Sequence, residues 1–316
     1  MIRALLFCFL FAFTADLSAQ DGKLLERTAY TVPDSSIAKW RSRMPDVDSI
    51  LSGVRISRIT YLSDGLKVKG YMAVPVGKGP FPSVIYCRGG NRDYGMISDG
   101  QLLRYLASIA SWGYVVVGSQ YRGNDGGEGK EEFGGADVND ALNLMPLLAQ
   151  VPEADTSRIG LFGGSRGGLM AYLALTRTTR FKAAVVLSGI TDAFMTRADR
   201  PEMETNAFAP LIPGYAMNRD SVLLTRSPAR WAERLCKTTP ILIQAGTGDW
   251  RVKADQALIM AQALYASKHP FRLLVIEGAD HGLTEYRDEA DHSARLFLDT
   301  YVRDGKQWPS LEPHGN

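Results

Sequence analysis

From Pro80 onward, short runs rich in Val, Ile and Leu alternate with longer stretches whose apolar residues recur every three or four positions. The short runs at 83–87, 114–119, 159–162, 183–187, 240–244 and 272–276 read as strands, and 101–111, 138–150, 167–176, 254–267 and 286–302 read as helices. A strand that is apolar on both faces has to be covered on both, and parallel neighbours need a long crossover, which helices provide. The alternation therefore predicts an α/β fold: a mostly parallel sheet between helical layers. Just upstream, 54–61 and 66–74 alternate as half-buried strands around Ser63-Asp64-Gly65. Asp-Gly suits the positive-φ positions of a tight turn, so the sheet should open with an antiparallel hairpin.

Two segments stand outside this rhythm. Residues 20–53 are polar and irregular and read as a lead-in, with Asp34-Ser35-Ser36 placed to cap a short helix through Arg41. Residues 197–236 are rich in Pro, Met and aromatic residues and interrupt the alternation. They read as an excursion over the carboxyl edge of the sheet, where such folds shape their sites. With 316 residues, 45% of them apolar, the chain can bury one large core. We expect a single domain over 54–305 and a tail at 306–316.

Arg3, the apolar run 4–13 and Leu17-Ser18-Ala19 form the pattern of a signal peptide over 1–19, cleaved before Gln20. An uncleaved anchor is the alternative. That run is too short to span a bilayer, and no later stretch nears about 18 apolar residues, so the expected product is exported, periplasmic or extracellular, and soluble. A net charge of +2 with interspersed signs gives no field for nucleic acid or anionic membrane. Cys8 lies in the leader, leaving Cys87 and Cys236, which make no disulfide framework; a single bridge stays open.

Chemistry concentrates at Gly163-Gly164-Ser165-Arg166-Gly167-Gly168, where a predicted strand meets a predicted helix. A serine on so tight a turn needs small flanking residues and projects its hydroxyl above the sheet. A phosphate-binding loop is the competing reading, but no Lys-Ser/Thr follows and no G-x-G-x-x-G occurs. A serine nucleophile needs a base. Of four histidines, His314 lies in the tail, His292 inside the last helix and His269 at a helix end before Pro270. His281 alone follows the last strand, on the same sheet edge as Ser165. The acid should come between them after a strand, and Asp249 does, with Asp192 and Asp280 as competitors. Oxyanion donors should be the backbone N–H of Arg166 and a donor in the loop Cys87-Arg88-Gly89-Gly90-Asn91.

These segments resemble the catalytic domain of prolyl-oligopeptidase-family serine peptidases, from about Val54 to about Asp304. Besides the turn at Ser165, the resemblance rests on Ser63-Asp64-Gly65-Leu66, Tyr121-Arg122-Gly123, Asp155-Thr156-Ser157-Arg158-Ile159-Gly160, Gly246-Thr247-Gly248-Asp249-Trp250-Arg251-Val252 and Asp280-His281-Gly282. It implies an α/β-hydrolase fold, a triad of Ser165, Asp249 and His281, an oxyanion loop around Arg88 and Gly89, and no metal or organic cofactor. Three departures stand out. Arg166 replaces the aromatic residue that commonly follows the nucleophile, Arg88 replaces the Tyr or His before the paired glycines, and too few residues precede Val54 to build a β-propeller. Proline specificity is therefore not expected.

Arg88, Arg166 and Trp250 are candidate substrate-binding residues, the two arginines as a rim for a carboxylate. The acidic segment holding Asp125, Glu128, Glu131, Glu132, Asp137 and Asp140 offers those arginines internal partners instead, which favours a structural pairing. The expected substrates are small peptides, with small esters second and a non-catalytic binding role on a hydrolase scaffold third. Without a propeller the site should be open, favouring esters over amides.

Overall fold

A computed structural model describes residues 20–315, so the expected signal peptide lies outside the described residues. The strands are β1 (Leu24–Ala29), β2 (Val54–Ser63), β3 (Leu66–Pro75), β4 (Phe81–Cys87), β5 (Val115–Ser119), β6 (Ala154–Gly164), β7 (Phe181–Leu187), β8 (Ile241–Gly246) and β9 (Phe271–Ile276). They form one sheet in the order β1-β2-β3-β5-β4-β6-β7-β8-β9. The pairs β1–β2, β2–β3 and β3–β5 are antiparallel, and β5 through β9 run parallel. The expected α/β sheet opened by an antiparallel hairpin is what forms.

Val115, Val116 and Val117 are each fully buried, and β5 packs on both faces: Val115 and Val117 belong to one core cluster, Val116 to the other. Each such side chain contributes about 1.5–3 kcal/mol by leaving water. From β4 the chain moves outward to β5, then returns across β4 to β6. That reversal opens a crevice at the carboxyl ends of β4 and β6, where open α/β sheets place their sites.

The lead-in is more ordered than expected. Leu24–Ala29 is an edge strand, pairing Arg27 with Ile59, and a second helix spans Val47–Ser52. The expected helix forms at Asp34–Arg41, but Pro33 occupies its N-cap and no side chain caps it. The helix expected at 138–150 is two pieces, Val138–Leu142 and Leu144–Leu148, meeting at Asn143. The excursion is largely short helical pieces, with Tyr215–Leu224 the longest of them. Cys87 is buried at the end of β4 and Cys236 sits beside Thr238; both are free, so the bridge left open does not form. Among the described residues no helix is long and apolar enough to cross a membrane.

Candidate active site

Ser165 joins β6 to the helix Arg166–Leu175 with φ 57° and ψ −124°. A side-chain-bearing residue in that region stores strain, on the order of 1–3 kcal/mol, and is held only where surroundings over-determine it. Here the main chain does so: Ser165 N–H donates to Leu187 O at 2.8 Å, and Ser165 O accepts from Gly168 N–H at 2.9 Å. The flanking glycines are sterically required. A Cβ at Gly163 would stand 2.2 Å from Gly167 O, and one at Gly167 would stand 1.9 Å from Cys87 O. A side chain at Gly163 would push the start of this helix off the end of β6, and one at Gly167 would push it off the end of β4.

The loops after β8 and β9 bring the other two residues together by the same device. A Cβ at Gly246 would lie 2.1 Å from Ala279 O, and Gly248 N–H donates to that oxygen at 3.0 Å. With the two backbones in contact, Asp249 Oδ2 accepts from His281 Nδ1–H at 2.7 Å. Asp249 Oδ1 accepts from Arg251 and Val252 N–H at 2.8 and 3.0 Å, and its side chain is fully buried. Both oxygens of this carboxylate are thus engaged, which fixes the His281 ring through Nδ1 and leaves Nε2 without a protein partner among the described residues.

Ser165 and His281 together line two cavities. One, of about 370 Å³, is walled by Tyr86, Gly89, Tyr94, Gln101 and Tyr105. The other, of about 320 Å³, is walled by Phe133, Ile190, Met203, Trp250 and Val252. Met203, Asn206 and Ala207 of the excursion border the second cavity, so that segment does form part of the wall. Trp250 is 64% exposed at the rim, with Arg200 and Arg251 stacked on it at 5.3 and 5.4 Å.

Arg88 and Arg166 form no carboxylate-binding rim. Their side chains are 0% and 1% exposed. Arg166 pairs with Glu131 and, at 2.5 Å, with Asp137, and it stacks between Tyr121 and Phe133. Arg88 donates to Gln120 O at 2.8 Å. Burial, and then the neighbouring Arg166 charge, push Arg88 down to about 10. For Arg166 burial works against the charge, but Asp137 and Glu131 outweigh it and raise its pKa. Both groups also grip the loop after β4: Arg88 Nη1 donates to Gly89 O at 3.1 Å, and Arg166 Nη1, besides its Glu131 pairing, donates to Gly90 O at 2.9 Å. Gly89 itself lies so close to the serine that a Cβ there would be 3.1 Å from Ser165 Cβ.

The prolyl oligopeptidase family model matches residues 102–304, a span that holds all three residues of this arrangement. The chain belongs to the prolyl oligopeptidase family. It is a serine hydrolase, with peptidase the favoured activity. It is 33% identical over 212 residues to the uncharacterized peptidase YtmA of Bacillus subtilis, covering 67% of this chain and 80% of YtmA. A solved puromycin-hydrolyzing peptidase of Mycobacterium tuberculosis matches at 27% identity and TM-score 0.62, over 75% of this chain and 38% of that one. The Pyrococcus horikoshii acylaminoacyl peptidase shares the fold at 21% identity and TM-score 0.70, over 85% of this chain and 45% of that one. The chain thus spans under half the length of these two solved relatives. No β-propeller is present among the described residues.

In this family member the competing acids are occupied elsewhere. Asp192 caps the helix Ala193–Asp199, accepting from Phe194 and Met195 N–H at 2.8 and 3.1 Å, and pairs with Arg230 at 2.7 Å. Asp280 closes its own turn, accepting from Gly282 and Thr284 N–H at 3.0 and 2.8 Å. Burial would raise the Asp280 carboxyl, but the Thr284 and Gly282 hydrogen bonds hold it below the usual range. His269 is buried against Thr239 O, and His292 sits in the helix Arg287–Leu298. Sequence reasoning did not single out Tyr94 and Arg251, which meet at 2.6 Å and line both cavities. The available signal was Arg251 itself, two residues past Asp249 in the loop already chosen.

Proposed function

We propose that this chain hydrolyses small peptides through an acyl-enzyme, with Ser165 as nucleophile, His281 as general base and Asp249 holding the histidine. The observation that carries this reading is the strained serine at a helix N-terminus, sharing two cavities with a histidine whose Nδ1 is tied 2.7 Å from a buried aspartate. The hydroxyl oxygen attacks the carbonyl carbon while its proton passes to His281 Nε2. The developing oxyanion is met by the backbone N–H of Arg166 and by the Gly89 loop, whose carbonyls are turned onto the Arg88 and Arg166 side chains. His281 then protonates the leaving amine, the C–N bond breaks, and water repeats the sequence to release the acid and restore the serine.

Cavities of about 370 and 320 Å³ support short substrates over folded proteins. The exposed rim at Trp250 supports fast turnover of esters as well. A fluorophosphonate probe tests the nucleophile: the adduct should map to Ser165 and be absent from Ser165→Ala, and an adduct on any other serine would refute the assignment. We also propose export with cleavage before Gln20, which intact-mass analysis of the secreted protein would contradict by retaining residues 1–19.

A further inference from the structure

A third cavity, of about 560 Å³, lies between the lead-in and the carboxyl edge of the sheet, lined among others by Trp40, Arg43, Arg104, Asp280, Thr284 and Arg287. It is contiguous with the Tyr86 side of the active site, for the two share Ser98, Gln101, Tyr105 and Gly282 in their walls. The lead-in wall is fixed in place. Tyr30 and Ser36 donate to the two oxygens of Asp99 at 2.5 and 2.6 Å. Trp40 packs against Gly100, where a Cβ would meet its ring at 2.5 Å.

The lining of this cavity is cationic. Three guanidinium groups line it against one carboxylate, that of Asp280, already engaged by Gly282 and Thr284. Outside the lining, Asp291 serves two of the arginines at once, Arg104 at 2.9 Å and Arg287 at 3.2 Å. Asp46, which reaches Arg287 at 3.4 Å, is mostly in solvent. Arg43 has no carboxylate within 4.0 Å among the described residues and rests 5.8 Å from the Trp40 ring centre. Arg43 is thus the cation of this wall left without an acid, and the planar fork of a guanidinium matches a carboxylate.

Position decides which part of a substrate that anion belongs to. The leaving group must take its proton from His281, and this cavity is walled by Asp280, Gly282 and Thr284 of the loop that carries His281. The Phe133–Ile190–Val252 cavity lies on the Arg166 side and suits the acyl portion. We infer that the cavity behind the lead-in is the leaving-group subsite and binds a carboxylate, so that preferred substrates are short peptides whose released fragment ends in a free C-terminal carboxylate. This inference rests on the peptidase reading above.

The test is a pair of blocked peptides differing only in a C-terminal acid or carboxamide. The wild type should show about tenfold higher kcat/KM for the acid, the size of one charge-assisted hydrogen bond. Arg43→Gln should bring that ratio to about two and Arg43→Glu to about one or below, through loss of the same attraction. Lys39→Gln, which removes an exposed cation on the helix just before Arg43 and outside the cavity wall, should keep the wild-type ratio. Equal cleavage of acid and carboxamide, or an equal loss in Lys39→Gln, overturns the subsite. If that occurs while peptides are still cleaved, the peptidase reading stands; if esters turn over and no peptide does, the peptidase reading falls with it.

Discussion

Strands β8 and β9 carry a histidine at each end, and the two have opposite fates. At the amino edge, just before β9, His269 is 2% exposed, its Nε2–H donates to Thr239 O at 2.9 Å, and its Nδ1 has no partner among the described residues. After them, His281 is 20% exposed, bound through Nδ1 to Asp249, and faces two cavities. Both rings tie the loop beside β8 to the loop beside β9. At the amino edge the partner is a neutral carbonyl in a dry setting, which only staples the sheet. At the carboxyl edge it is a carboxylate, which can stabilise the imidazolium that proton transfer creates. The residue type is the same; the charge of the partner and the access to the second nitrogen make one structural and the other competent for chemistry.

Exchanging the tests between the two ends would break this contrast. His281→Ala should lower kcat by about 10⁴-fold or more, as loss of the proposed general base would, while costing about 1–2 kcal/mol of stability, because the buried Asp249 carboxylate loses a hydrogen bond. Steady-state kinetics and urea melts on the same preparation decide it; a large stability loss with modest kinetic loss would make His281 the staple.

Beneath the carboxyl edge a closed layer supports the open one. Arg166→Ala leaves Glu131 and Asp137 buried without their cation, which costs about 3–5 kcal/mol. It also frees the Gly90 carbonyl, so turnover should fall in whatever fraction stays folded. Chemical denaturation showing an unchanged midpoint would contradict the structural pairing.

The smallest effect belongs to the amino edge. His269→Phe should cost about 1–2 kcal/mol at neutral pH, through the lost hydrogen bond to Thr239 O, with kcat/KM kept. Burial depresses the His269 pKa below its ordinary 6.5, with the Thr239 hydrogen bond opposing and Lys237 adding to the shift. A histidine held neutral is protonated first in the unfolded chain, so its contribution is present above 6.5 and lost as pH falls below it. The stability gap between wild type and variant should therefore narrow from pH 7 to pH 5; a widening gap would mean that the buried ring is protonated in the folded state.

The legibility of this molecule followed how local each constraint is. The parallel strands could be read because burial on both faces demands uninterrupted apolar runs such as Val115-Val116-Val117. β1 could not, because an edge strand with Leu25, Glu26, Thr28 and Ala29 all exposed has no alternating pattern to distinguish it from a polar lead-in. Ser165, Asp249 and His281 were reachable because chain order and strand ends locate them. The destinations of Arg88 and Arg166 were not, since a sequence gives a charge but not the direction in which its side chain turns. Glu131 and Asp137, 35 and 29 residues before Arg166, draw that guanidinium inward. Arg43, equally cationic, found no acid and stayed at a cavity wall.

The central claim, that Ser165 cleaves amide bonds in this cleft, is tested most directly by kcat/KM on a matched aryl ester and peptide amide sharing one acyl group, in wild type and Ser165→Ala. The account predicts that the wild type turns over both, the ester faster, and that both rates fall by about 10⁴-fold or more in the variant. Amide turnover that survives in Ser165→Ala, or a wild type that hydrolyses the ester and no amide across a broad peptide library, would contradict it.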